Sequence, residues 1–276
     1  MACFTRSSRF PILAVALTLG LAVKVPAQVP LESRSSSLSS RLESAFSPPQ
    51  GPGAPTPDNT QGGATRGPCI ATDSKPPQAL IPADGIGETV AEYPTIFWYM
   101  PKLVPDDAST PPDEASKPAV QFVLKDANNQ EIYSATYPLA KSAEGVVGAP
   151  GGIMSLTVAK GYPLKIGQEY HWELTVMCDS TDTTDHSGTM PMDGRIKRVE
   201  AAPTLAVRLQ QATPQDRVAV YATEKLWFET VATLIELRRD RPNDTNLADA
   251  WGKLLASVGL DIISKEPLFP AARTNG

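Results

Sequence analysis

The sequence predicts an α+β protein: an immunoglobulin-like antiparallel β-sandwich followed by a small C-terminal α-helical module. Three observations lead there. Tyr170 to Cys178 alternates strictly, with Tyr170, Trp172, Leu174, Val176 and Cys178 on one face and His171, Glu173, Thr175 and Met177 on the other. That is the signature of a half-buried strand, here placed at the centre of the sandwich. From Cys69 to Glu200 the chain is a series of short apolar runs broken by turn residues, which suits seven or so strands. After Glu200 the period changes to that of a helix.

The chain divides into five stretches. Residues 1–27 have the layout of a secretory signal peptide: Arg6 and Arg9, an apolar run from Pro11 to Val23, and Val25-Pro26-Ala27 ahead of Gln28. The run is short of the roughly 20 residues that cross a bilayer. Cleavage near Ala27 and export to the periplasm or the extracellular space are therefore expected, with no membrane span afterwards. Residues 28–67 read as a linker, Ser-rich to Ser47 and then Pro/Gly-rich, as in Pro48-Pro49-Gln50-Gly51-Pro52. Such a stretch buries too little apolar surface to offset its ordering entropy, and an extended or disordered spacer is expected.

Residues 68–200 carry the strands. Ala79-Leu80-Ile81-Pro82 is a short one, and Asp84-Gly85-Ile86-Gly87 reads as a turn. Tyr93 to Pro101 is a strand whose prolines mark its ends or an edge position, since proline donates no ladder hydrogen bond. Val120 to Leu124, the turn cluster Asp126-Ala127-Asn128-Asn129, and Glu131 to Tyr137 form a hairpin. Ile153 to Val158 and a last strand within Met192 to Val199 complete the set. Trp98 and Trp172 are expected in the core.

Residues 201–264 form the helical module, and 265–276 a tail. Pro203 to Ala212 is one helix. Thr213-Pro214-Gln215-Asp216 is a capping pattern with proline in the first turn, opening a second helix through Ala222. Leu226, Thr230, Leu234 and Leu237 stripe a third that ends near Arg238 and Arg239. Leu247 to Val258 is a fourth, stopped at Gly259, and Asn243-Asp244-Thr245 reads as its N-terminus rather than as a glycosylation sequon. Tyr221, Leu234 and Pro242 fall at the spacing of a tetratricopeptide repeat. The module thus resembles a tetratricopeptide-like hairpin packed as an appendage on the sandwich.

Charge and cysteine content bound the function. Residues 1–27 hold three of the 25 basic residues and none of the 30 acidic ones, which leaves 22 against 30, net −8. An acidic chain without a basic stripe is a poor nucleic-acid binder. Without Cys3, Cys69 and Cys178 remain, an even pair in an oxidising compartment, and a Cys69–Cys178 disulfide is expected. The alternative is two separate buried thiols.

Several stretches together resemble one family: Thr65-Arg66-Gly67-Pro68-Cys69, Thr89 to Tyr99, Tyr170-His171-Trp172 with Cys178-Asp179, Leu226-Trp227-Phe228, and Leu237-Arg238-Arg239. Cys69 to Leu260 is similar to the exported cyanobacterial proteins grouped as domain of unknown function 928. The resemblance implies compartment and layout (leader, low-complexity linker, β-rich domain, helical C-terminus) and no activity.

The sequence holds no recognisable catalytic set and no cofactor motif. There is no Gly-x-Ser-x-Gly, Ser-x-x-Lys, His-Glu-x-x-His or Walker sequence. His171, on the polar face of the central strand, would need a partnered nucleophile to act as a base. Asp179, Asp182, Asp185 and His186 follow Cys178 as weak candidates for a metal loop, lacking the glycine and final glutamate of an EF-hand. The expected function is a non-enzymatic, exported cell-envelope module that binds another exported or envelope protein. A glycan- or calcium-binding module is the alternative, and a hydrolase with an unrecognised site is the third.

Overall fold

A computed structural model describes residues 37–48, 69–104, 116–139, 151–181 and 188–269. The alternating stretch forms β7 (Glu169–Met177), with inward residues buried and outward ones partly exposed along its whole length. It lies third of five in a sheet ordered β2 (Ile86–Thr89), β8 (Thr189–Arg198), β7, β4 (Ala119–Lys125), β5 (Glu131–Pro138). Its inward side chains face inward ones on both neighbours: Trp172 pairs with Gly194 and Leu124, and Leu174 with Met192 and Phe122. Trp172 is 0% exposed and Trp98 3%.

A second sheet is ordered β1 (Gln78–Ala79), β3 (Thr95–Met100), β6 (Gly152–Thr157), antiparallel throughout. The prolines around β3 mark its ends, because β3 is paired on both sides. The class is α+β as expected, with eight strands in two sheets among the described residues and a C-terminal cluster of helices. The immunoglobulin-like, purely antiparallel arrangement is not confirmed: β2 runs parallel to β8. The sequence places Ile86-Gly87 in a turn, but only Asp84-Gly85 turns, with Gly85 at φ +75°. Gly87 joins the strand by pairing with Ile196 of β8, and the ring of Phe228 occupies the space that a Cβ there would fill.

The helices follow their caps. Thr213 accepts from Asp216 N and opens α3 (Pro214–Thr223), after the short α2 (Leu205–Gln211). The expected stripe of α4 (Trp227–Asp240) is buried at Thr230, Leu234 and Leu237. Asp244 accepts from Asn246 N and Leu247 N and opens α5 (Thr245–Ser257), so the sequon is a helix cap. Gly259, at φ +78°, follows that helix. Three side chains at the start of α4 join it to the strands and their connections. Glu229 Oε1 accepts from Thr89 Oγ1 at 2.6 Å and Val90 N at 2.9 Å, Trp227 Nε1 donates to Leu80 O at 3.0 Å, and Phe228 fills the space at Gly87. Helices and sheets therefore share one continuous apolar core.

Two boundaries are corrected. The linker expected over 28–67 contains a helix, α1 (Leu38–Phe46), capped by Ser37 and docked on α5 and α3. Leu38, Leu42 and Phe46 recur every four residues on one face, a stripe hidden by the Ser-rich surroundings. α5 thus packs chiefly against α1, with a smaller contact to α4, and a repeat-like hairpin is not established. The expected tail begins inside the fold: Ile153 N donates to Pro267 O at 2.7 Å and Phe269 N to Ile153 O at 3.0 Å. Gly152 permits that approach, since a Cβ there would lie 2.5 Å from the Phe269 ring. The proposed leader, residues 1–27, lies outside the described residues. Among the described residues no helix is long and apolar enough to cross a membrane.

Cys69 and Cys178 form a disulfide with their Cα atoms 5.6 Å apart. It ties the segment that opens the described β domain to the end of β7, closing a loop over 109 positions. A Cys69→Ser, Cys178→Ser chain should lose roughly 4–5 kcal/mol of unfolding free energy by the loop-closure estimate. Urea unfolding with and without reductant measures this, and a loss near zero would refute it. Gly194→Ala should cost about 1–3 kcal/mol by overpacking. Its Cβ would lie 2.3 Å from Ile81 Cδ1 and 2.8 Å from the Trp172 indole; an unchanged melting temperature would contradict that.

Candidate functional site

The outward side chains of β7 and β8 carry charge. Alternation places Glu169, His171 and Glu173 opposite Lys197, Arg195 and Asp193 on the solvent face of the larger sheet. Diagonal and cross-strand partners then interlock. His171 Nε2 lies 3.0 Å from Asp193 Oδ2, and His171 Nδ1 is 3.9 Å from Glu173 Oε1. Lys125 Nζ reaches Glu173 at 2.5 Å and Arg195 Nη1 reaches Glu169 at 3.3 Å. Each pair is partly exposed, so each contributes little to stability; their effect is to fix where the charges point.

At one end of this face two turns rise beside the strands and close a cleft of about 380 Å³. The β1–β2 turn contributes Asp84 and Gly85, and the β4–β5 turn Asp126, Ala127 and Asn129. Asp84 Oδ1 accepts from Ile86 N at 3.1 Å, while Gly85 O accepts from Arg195 N at 3.0 Å. Asp126 Oδ1 accepts from Asn128 N at 2.8 Å and Gln130 N at 2.9 Å, which holds Asn129 at φ +62°. These backbone amides, Gln130 foremost, lower the Asp126 pKa. The floor is β7 and β8, with Glu169, His171, Asp193 and Arg195. Four carboxylates thus converge around one guanidinium and one imidazole.

The structure brings His171 into this cleft but separates the other candidates from it. Asp179 lies beyond the opposite end of β7. Its Oδ1 accepts from Thr181 Oγ1 at 2.7 Å, Thr181 N at 2.9 Å and Lys117 N at 3.4 Å, bonds that lower its pKa, Thr181 foremost. Asp179 is a turn cap here. Asp182, Asp185 and His186 lie outside the described residues. Among the described residues, no three His, Cys, Asp or Glu side chains gather as a metal site. The sequence reading missed Asp84, Asp126, Glu169, Asp193 and Arg195. Two of them were legible as turn residues, but only the sheet order brings both turns to one end.

The sequence matches, over residues 61–268, the family described as Domain of Unknown Function (DUF928). The chain belongs to that family. No curated protein matches it. Among solved structures, the DUF928 chain has likeness to two of the beta-glucuronidase of Parabacteroides merdae, one with glycerol in its active site. Each is 15% identical, with a TM-score of 0.21 over 38% of this chain and 11% of that one. The chain spans about a tenth of the enzyme's length, and a likeness this slight carries no argument about fold or activity. The matched segment of the DUF928 chain contains the whole cleft and begins after α1.

The lowered Asp126 pKa gives a signed expectation. The carboxylate's support for the turn is fully present above the ordinary aspartate value of 3.8 and is lost as pH falls through the lower, folded value. In an NMR titration Asp126 should have its midpoint below 3.8, and the Asn128 and Gln130 amide shifts should move with it. A midpoint at or above 3.8 would show that the amides do not hold the carboxylate.

Proposed function

We propose that the chain is a non-enzymatic binding module that works outside the cytoplasm, in the periplasm or the extracellular space, and recognises a basic segment of another exported protein. The observation that carries this is the cleft, where Asp84, Asp126, Glu169 and Asp193 face solvent around a single Arg195. An oriented excess of carboxylates at the end of an open sheet suits a lysine or arginine side chain, whose approach it would steer. The leader-like residues 1–27 and the Cys69–Cys178 disulfide support the compartment, since structural disulfides persist under oxidising conditions.

A hydrolase is the second reading, favoured by His171 being held by Asp193 inside the cleft, as a base and its orienting group would be. Against it, the described lining offers no Ser, Thr, Cys or Lys nucleophile.

Capture from envelope extract tests the first reading. The mature chain should retain a protein partner, and the double variant Glu169→Gln, Asp193→Asn should retain it at least about tenfold more weakly, a loss of about 1.4 kcal/mol. Added salt should weaken the wild-type complex in the same direction. Both positions are partly exposed, so the variant's melting temperature should stay close to the parent's. Equal capture by both proteins would remove the cleft from the interface. Loss of a substrate-turnover signal in His171→Ala, with capture intact, would favour the hydrolase.

A further inference from the structure

α1 is too short to hold a helix alone in water, where roughly a dozen residues or more are needed. Its nine residues owe their helicity to what they dock on. Leu42 and Phe46 are buried, with Leu38 and Ala45 packed against the same core. The receiving groove runs between α3 and α5. At its end Phe46 meets the Trp227 ring edge-on, centroids 4.9 Å apart. Polar contacts rim the groove: Ser39 Oγ donates to Asp249, and Lys253 Nζ lies 3.4 Å from Glu43.

Lys225 supplies a second, independent observation. It follows α3 at φ +61°, where Lys225 N and Leu226 N donate to Ala222 O and Tyr221 O. A position like this after a helix is usually glycine, because a Cβ strains the left-handed backbone. The lysine side chain reaches α1 instead. Its Nζ donates to Ala45 O and lies 5.9 Å from the Phe46 ring centroid. A cation is favoured there by the carbonyl end of a helix and by the ring face. The residue at this strained position is the one whose ammonium reaches the end of α1.

The family match starts at residue 61, so the groove belongs to the matched domain and α1 does not. We propose that the groove between α3 and α5 is a helix-binding site and that α1 occupies it in cis. The partner it fits is an amphipathic helix of another protein, with two aliphatic side chains and one aromatic at four-residue spacing. This does not rest on the role of the acidic cleft. It has a consequence for that region, however. Residues 45–48 wall a second cleft of about 540 Å³ that shares Asp84 and Glu169 with the first, and a partner that displaces α1 removes that wall.

The test uses a fluorescent peptide of residues 37–48 and the full chain, either wild type or carrying Leu42→Glu and Phe46→Glu. The variant should bind the peptide at least about tenfold more tightly than wild type, whose tethered α1 competes at an effective concentration on the order of millimolar. In an otherwise wild-type chain, Lys225→Gly relieves the strained backbone yet should speed amide exchange in α1 about tenfold, with α3 and α4 unchanged. A folded double variant that ignores the peptide would overturn the proposal. If that variant does not fold, unchanged α1 exchange in Lys225→Gly overturns it alone. A wild-type dimer that dissociates on Leu42→Glu would assign the groove to a second copy and overturn it too.

Discussion

The fold depends on one steric allowance: the space left by the missing side chain of Gly194. Trp172 is fully buried at the middle of β7, with Leu124 on one side and Gly194 on the other. Any Cβ at 194 would meet both the indole and Ile81 Cδ1. Ile81 lies on the connection from β1 of the smaller sheet to β2 of the larger, so the glycine is where the two sheets close on each other. The carbonyl just before it, Leu80 O, accepts the indole N–H of Trp227. The helices therefore bind to the same connection. Truncating a buried tryptophan costs about 3–5 kcal/mol in general, and here the loss would reach both sheets and the helices.

That inner packing also determines where the outer charges stand. Because strand side chains alternate, Tyr170 and Trp172 can be inside only if Glu169 and His171 are outside; a one-residue slip would exchange the faces. The register that buries Trp172 opposite Gly194 is the register that sets His171 diagonal to Asp193 and Glu169 within reach of Arg195. The turns complete the cleft from the backbone. Asp126 spends its carboxylate on its own turn's amides, and Gly85 offers its carbonyl to Arg195 N. The core sets which positions on this surface carry charge, and the ion pairs between them then orient the side chains.

Legibility followed locality. β7, the β4–β5 hairpin and the caps at Thr213 and Asp244 each announce themselves within a single local stretch of sequence, and the structure agrees with them. β2 did not, because its strand character comes from a parallel partner over a hundred positions away. α1 was hidden for the opposite reason. Its three-residue stripe was present at Leu38, Leu42 and Phe46, but the composition around it favoured a linker, and the groove that makes it a helix lies in α3 and α5. The cleft was half legible: His171 stood out as a polar-face histidine, whereas Asp84 and Asp126 read as turn residues and nothing more.

The two recognition surfaces proposed, the acidic cleft and the helical groove, would act by different physics. Oriented carboxylates act at a distance, raise association rates and weaken with salt. A groove that takes a leucine and a phenylalanine acts at contact and governs how slowly a complex dissociates. Their common ground is small: Asp84 and Glu169 line both the acidic cleft and the neighbouring one walled by the end of α1. Lys225, set at a backbone position that favours glycine, holds that wall through Ala45 O. A partner reading both surfaces would meet the charges first and then compete with α1 for the groove. Its hydrogen bond to Ala45 O and its place over the Phe46 ring hold the end of α1, and an incoming helix of the kind proposed would have to break both.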